Sequence, residues 1–283
     1  DHAVMNLFKS VLEIHDKEKF ELYGFSFNTI KDEMNLSVKK YFDKYFDITS
    51  ETDEQISNLS KENSIDIAID LKGYTFDHRF KIFELGCAPI QVNFLGYPGT
   101  TGSKNIDYII ADKILIPEKN REFFSEKIIY MPDTYQPNDK KKLISNKIFK
   151  KSDFGLEENK IILGSFNNSY KITPYIYKIW MEILKENNDA VLWIYADNDD
   201  ASLNLIKNAK NFKVDDRIII ARRTPLLSDH LKRITLVDLC LDTYPCNGHT
   251  TTSDVLRSGV PIVTLIGDTF ASRVSASLLN TKA

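Results

Sequence analysis

The sequence predicts an α/β protein built as two Rossmann-like domains, each a parallel sheet flanked by helices. Three observations predict it. Strand-like and helix-like segments alternate in both halves of the chain, as crossover helices between parallel strands require. A polar tract near the middle interrupts that alternation. The 283 residues exceed the usual size of one domain and give each of two enough chain to bury a core.

In the first half, Phe20–Phe27, Ile65–Leu71, Ile90–Leu95 and Ile106–Ala111 are rich in Ile, Val, Phe and Tyr and read as strands. Amphipathic stretches lie between them. In Thr52–Asn63, Ile56 and Leu59 fall on one helical face. The tract Pro137-Asn138-Asp139-Lys140-Lys141-Lys142 is poor in core formers, as a linker is, so domains are expected over residues 1–149 and 150–283. The second half restarts with strands at Ile161–Phe166, Val191–Tyr195, Ile218–Ala221, Leu239–Asp242 and Pro261–Ile266, separated by helical segments such as Tyr175–Glu186.

Composition excludes several classes of function. With 37 basic and 40 acidic residues the formal charge is -3, so no global field draws nucleic acid or an anionic membrane. A phosphate must be caught locally. Cys87, Cys240 and Cys246 lack C-x-x-C or His-Cys spacing, which argues against a disulfide framework or zinc site and for a reducing compartment. No apolar run approaches the roughly 18 residues of a membrane span, and no signal-peptide pattern opens the chain. A soluble, cytoplasmic protein is expected.

In open α/β sheets ligands bind beyond the carboxyl ends of the strands, so the informative residues are those just after each strand. Leu239–Asp242 is followed by Thr243-Tyr244-Pro245-Cys246-Asn247-Gly248, then His249-Thr250-Thr251-Thr252-Ser253-Asp254 and the helical Val255-Leu256-Arg257. Free amides at a helix start attract anions and threonine hydroxyls add donors, so a diphosphate fits over residues 249–251. The same Thr251-x-x-Asp254 spacing also reads as a capping box that satisfies its own helix without a ligand. Asp254 could instead accept hydrogen bonds from ribose.

After Ile161–Phe166 come Asn167-Asn168-Ser169-Tyr170-Lys171, with Thr173-Pro174 as N-cap and first turn of the next helix. Lys171 is either a solvated loop lysine or a cation placed to neutralise a departing diphosphate. In the first half, strand exits carry Gly96-Tyr97-Pro98-Gly99-Thr100-Thr101-Gly102 and Lys72-Gly73-Tyr74-Thr75. Glycine there serves an ordinary turn or lets backbone amides approach a ligand. Asp197-Asn198-Asp199 has a metal-binding D-x-D shape but opens a helix, and reads as an acidic N-cap. His230 reads as a helix-surface histidine or a contact for a base, and His15 as solvated.

Together these motifs resemble the O-linked N-acetylglucosamine transferase family, especially bacterial members that lack an insert between the catalytic lobes. The match covers nearly the whole chain. It is carried by Ala88-Pro89-Ile90-Gln91 through Leu95-Gly96-Tyr97-Pro98-Gly99-Thr100, by Ser165-Phe166-Asn167-Asn168-Ser169-Tyr170-Lys171, by Asn247-Gly248-His249-Thr250-Thr251 and by Gly267-Asp268-Thr269-Phe270-Ala271-Ser272-Arg273. The resemblance implies a GT-B architecture, two Rossmann-like lobes facing a cleft, with a UDP-sugar held mainly by the second lobe and with no metal or other cofactor. The implied activity is inverting transfer of a sugar, N-acetylglucosamine foremost, from the UDP-sugar to Ser or Thr hydroxyls of a protein acceptor.

Carried over by position, Lys171 contacts the diphosphate and stabilises the leaving UDP, while His249, Thr250 and Thr251 surround the phosphates. Asp254 holds ribose, His230 the uracil, and Leu95 and Gly96 line the sugar pocket. Asn168 joins the UDP contacts, standing where the animal enzymes have glutamine. His2 matches the family's first-lobe histidine, a proposed base, whereas Asp66 replaces a histidine of the animal enzymes. The family's first strand should precede His2, a further segment should follow Ala283, and upstream tetratricopeptide repeats usually present the acceptor. A parallel sheet without its strand exposes an edge, so this segment alone is expected to be poorly stable or inactive. Two other readings stay open: a UDP-sugar epimerase of the same architecture, which needs carboxylates poised on the sugar, and a non-catalytic nucleotide-sugar-binding scaffold.

Overall fold

The computed structural model describes residues 3–27 and 33–281. The chain forms two compact units that divide between Lys140 and Lys141, inside the lysine tract, so residues 141–149 fold with the second unit.

The first unit runs α1 (Ala3–Ile14), β1 (Tyr23–Ser26), α2 (Glu33–Lys39), β2 (Lys44–Asp47), α3 (Asp53–Glu62), β3 (Ile67–Asp70), α4 (Lys81–Glu84), β4 (Ile90–Asn93), β5 (Tyr108–Ala111) and β6 (Lys127–Tyr130). Strands β3-β4-β5-β6 form one sheet in that order and β1-β2 a second, all pairs parallel. Helix α3 starts where its sequence demands. Thr52 Oγ1 accepts from the Gln55 amide at 3.2 Å and Gln55 Oε1 accepts from the Thr52 amide at 2.7 Å, a reciprocal box that satisfies two otherwise orphan donors. Its apolar face then joins the core, with Ile56 packed among Ile48, Ile82 and Cys87 and Leu59 against them. Strands β2 and β6 carried no expectation. Both are four residues long and open on lysine, and β6 is the last strand of its sheet, with exposed residues alternating along it.

The second unit continues with β7 (Ile161–Ser165), α5 (Pro174–Glu186), β8 (Ala190–Tyr195), α6 (Asp199–Lys210), β9 (Ile218–Ala221), α7 (Leu227–Ile234), β10 (Leu239–Leu241), α8 (Thr250–Arg257), β11 (Ile262–Val263) and α9 (Val274–Leu279). Its parallel sheet has the order β11-β10-β7-β8-β9. Strand β8 shows why both faces are covered: Leu192 and Ile194 point into one cluster with Trp180, Met181 and Leu184 of α5, and Val191 and Trp193 into another with Ile162, Cys240 and Val255. Successive side chains of a strand leave opposite faces, so a strand buried on both sides is apolar throughout. Each such side chain contributes about 1.5–3 kcal/mol by burial. Helix α5 has the expected start, with Thr173 as N-cap and Pro174 in the first turn.

The register positions the site. Leu163 pairs with Leu239 and Gly164 with Cys240, so the exits of β7 and β10 run side by side.

Candidate functional site

Beyond those two exits a buried carboxylate organises the backbone. Asp242 Oδ1 accepts from the amides of Thr243 (2.8 Å) and Gly248 (2.7 Å) and from Asn167 Nδ2 (3.2 Å), while Oδ2 accepts from Thr264 Oγ1 (2.7 Å). Burial raises its pKa, and hydrogen bonds from Ser275, Gly248, Thr264 and Thr243 oppose the rise. The turn over residues 243–248 is thereby fastened to β7, β10 and β11. A side chain at Gly248 would collide with Thr252 Oγ1 and crowd Asn167 Nδ2 and Asp242 Oδ1 at 3.2 Å. Sequence reasoning gave Asp242 no role, since an Asp at a strand end looks the same whether or not it ties down a loop.

The turn delivers the chain to α8, whose N-cap is His249 and which has no side-chain cap. The capping-box alternative is thereby overturned: Asp254 does not reach back to the helix start, because its Oδ1 takes the ammonium of Lys142 at 2.5 Å. Thr252 is buried against Ser275, Oγ to Oγ at 2.7 Å. Thr250 and Thr251 are only part-buried. The result is an uncapped helix start flanked by hydroxyls, where amides and dipole favour an anion.

Lys171 comes to the same place from β7. Its part-buried Nζ donates to the Asn247 carbonyl at 2.8 Å, so it is no solvated loop lysine. Its charge is felt at His249, whose pKa falls to about 3, through burial first and Lys171 second, against a raising contribution from the Ala271 carbonyl 3.4 Å from Nε2. His249 is therefore a neutral imidazole at pH 7. Asn168 lies exposed on the same exit, its Nδ2 3.4 Å from the Tyr170 hydroxyl.

His230 sits on α7 with its ring edge-on to Phe166, centroids 5.5 Å apart at 85°. It is part-buried, which excludes the simple surface reading. Nδ1 must accept, because its partner is the Arg233 Nε–H at 3.1 Å. Burial, with the charges of Arg233 and Lys142, lowers its pKa to about 4. Arg233 lies over the Phe166 and Trp193 rings at 5.6 Å and donates to the Arg222 carbonyl.

In the first unit, Leu95 and Gly96 follow β4. Leu95 is buried with φ of 70°, and a side chain at Gly96 would run into the Leu71 carbonyl. The glycine loop is pinned by residues the sequence did not single out: Glu126 accepts from the Thr101 amide (2.6 Å) and from the hydroxyls of Thr101 (2.5 Å) and Thr100 (2.6 Å). Asp70 Oδ1 likewise accepts from the amides of Lys72 (2.8 Å) and Gly73 (2.9 Å). His2 lies outside the described residues.

Two smaller expectations are corrected. In the D-x-D segment the N-cap of α6 is Asn198, which accepts from the Ala201 amide at 2.8 Å, while Asp197 accepts from Ser169 Oγ at 2.7 Å. His15 is half-buried rather than solvated, with Nδ1 2.7 Å from the Leu12 carbonyl. Among the described residues, no group of three or more His, Cys, Asp or Glu side chains is arranged to hold a metal ion, and no helix is long and apolar enough to cross a membrane.

Comparison with known proteins gives one consistent result. The model of glycosyl transferase family 41 matches residues 1–152 and 144–283. The chain is 34% identical over 284 residues to an Arabidopsis thaliana protein described as a probable UDP-N-acetylglucosamine–peptide N-acetylglucosaminyltransferase, SEC, covering 98% of this chain and 29% of that protein. It is 28% identical over 294 residues to the Petunia hybrida SPINDLY protein, described in the same way, covering 99% and 31%. The structure of a variant O-GlcNAc transferase from Thermobaculum terrenum superposes with a TM-score of 0.90 at 28% identity, over 98% of this chain and 53% of that one. The two parallel-sheet units are those of a GT-B glycosyltransferase. The chain spans under a third of the length of these plant relatives.

Proposed function

Because the chain belongs to glycosyl transferase family 41, we propose that it carries the donor site and catalytic machinery of an inverting transferase moving N-acetylglucosamine from UDP-N-acetylglucosamine to Ser or Thr hydroxyls of proteins. One observation carries the reading. The start of α8 has no side-chain cap, and Lys171 is bonded to the turn that leads into it. That arrangement offers amides, the Thr250 and Thr251 hydroxyls and a fixed cation to a diphosphate. The relatives' descriptions name UDP-N-acetylglucosamine as donor and a peptide as acceptor.

In the proposed reaction the acceptor oxygen attacks the anomeric carbon as the bond from that carbon to the diphosphate breaks, with inversion, and the hydroxyl proton passes to a base. Charge grows on the departing phosphate, and Lys171 with the α8 amides meets it without reorganisation. His249, neutral, adds no charge beside the phosphates, and its Nε2–H faces the Ala271 carbonyl. The uracil would lie by His230 and the ribose by Asp254, with Asn168 a further UDP contact; Leu95 and Gly96 are proposed as sugar contacts on the resemblance alone. His2 keeps its place as the proposed base. No metal is assigned, since Lys171 and the helix start supply the positive charge a diphosphate needs.

Replacing Lys171 tests this. With UDP-N-acetylglucosamine and a Ser-containing peptide, Lys171→Ala should lower kcat by about 10²–10³, the worth of one preorganised transition-state contact. UDP affinity, by calorimetry, should fall by about tenfold or less. Transfer by Lys171→Ala at the unaltered rate would remove the role given to Lys171, and an unaltered chain that binds UDP but transfers nothing would favour a nucleotide-sugar-binding scaffold.

A further inference from the structure

We infer that Lys142, in the polar tract entering the second unit, is a positioning residue for ribose: its ammonium holds the Asp254 carboxylate ready to accept the sugar hydroxyls of a uridine nucleotide. The inference rests on the reading of this unit as a UDP-sugar site.

The tract reads as a linker in sequence, yet Lys142 is not solvated. Its Nζ lies 2.5 Å from Asp254 Oδ1, with the two side chains 12% and 9% exposed. Its backbone is tied down as well, the Lys142 carbonyl accepting from Arg257 Nη2 at 3.1 Å. Asp254 is one turn beyond Thr250 on α8, and Lys142 also acts electrostatically on His230. The lysine is therefore bonded to the proposed ribose contact, and its charge is felt at the proposed uracil contact.

Two charges buried together lose hydration that an exposed pair keeps, so a tie between tract and helix would be met more simply by apolar contacts. Function explains the charge better. Burial pushes the Asp254 carboxyl toward its protonated form and Lys142 opposes that push. A carboxylate accepts on both oxygens. With Oδ1 engaged by Lys142, its second oxygen keeps an acceptor's character for a ribose hydroxyl. Without the ammonium, Asp254 shifts toward the protonated acid and accepts less well.

The test compares UDP with 2'-deoxy-UDP on the chain by calorimetry. The unaltered chain should prefer UDP by about tenfold or more, the worth of a charge-assisted hydrogen bond. Lys142→Met should bring the two affinities within about twofold of each other, while Lys142→Arg keeps the preference. A folded Lys142→Met that retains the full preference overturns the inference and leaves only a structural tie, as does an unaltered chain that binds both nucleotides equally. An unaltered chain that is folded by circular dichroism and binds neither refutes the UDP-sugar reading instead. If Lys142→Met fails to fold by circular dichroism, Lys142→Gln is read by the same ratio. If neither folds, amine acetylation of the unaltered chain decides: UDP should slow the labelling of Lys142, and unchanged labelling overturns the inference.

Discussion

Removing the Asp242 carboxylate tests how the proposed phosphate turn is held. Asp242→Ala strips acceptors from two backbone amides, Thr243 and Gly248, and from Asn167 Nδ2 and Thr264 Oγ1. An unsatisfied buried donor costs about 1–3 kcal/mol. The two side-chain donors can reorient and the two amides cannot, so the net loss should be about 3–5 kcal/mol, near the upper end for single substitutions. Asp242→Asn behaves differently. Its carbonyl replaces Oδ1, its amide donates to Thr264 Oγ1, and the burial that opposed the carboxylate no longer matters, so the cost should be about 1 kcal/mol or less. Trp180 and Trp193 are both buried in the second unit, and they are the chain's only tryptophans, so their fluorescence in urea follows this unit alone. With a slope of about 1–3 kcal/mol per M, Asp242→Ala should lower the midpoint by about 1 M or more. If Ala and Asn variants unfold at the same urea concentration, the network does not hold the turn.

The pH dependence has a defined sign. His230 and His249 have folded pKa values of about 4 and about 3 against 6.5 ordinarily, so as pH falls the unfolded chain takes up protons first. Their contribution to stability is complete above about 6.5 and is lost toward pH 4 and then 3, at up to about 1.4 kcal/mol per pH unit for each group. A His230→Asn, His249→Asn double variant should show a flatter fall in urea midpoint across that window, and an unchanged slope would contradict the burial of both rings. Gly248→Ala should cost about 1–3 kcal/mol through overpacking against Thr252, Asn167 and Asp242, and should weaken UDP binding in calorimetry. Unaltered stability and affinity would show that the turn has room for a side chain.

What the sequence reveals depends on the range of the interaction. The strands of β7, β8, β9 and β10 are legible because a strand buried on both faces is apolar throughout, α3 because Ile56 and Leu59 share one face, and α5 because Thr173 caps its own helix within a few residues. Helix α8 is legible as a helix, but whether Thr251 and Asp254 cap it is not, because Asp254 is claimed from 112 positions away by Lys142. The contacts of Lys171 with Asn247 and of Asn167 with Asp242 span 76 and 75 positions. They follow from β7 and β10 being neighbours, which local pattern does not encode. The acids that shape the loops, Asp70, Glu126 and Asp242, are silent for the same reason: each binds backbone amides or hydroxyls brought to it by the sheet.

The long-range contacts also set the sign of the local field. The chain as a whole is acidic, with a charge of -3, and no composition argument would place an anion site in it. Yet both histidines of the second-unit site, depressed first by burial, also feel positive charge: Lys171 lowers the pKa of His249 further, and Arg233 and Lys142 that of His230. They do so at different contacts, one proposed for phosphate and one for uracil. The ion pair with Asp254 offsets much of the charge of Lys142, so this field rests mainly on Lys171 and Arg233. A diphosphate at the proposed site would therefore meet a part-buried cation, Lys171, where salt screens less than it does between exposed charges. Such a cation is what the proposed transfer requires where charge would build on a leaving diphosphate.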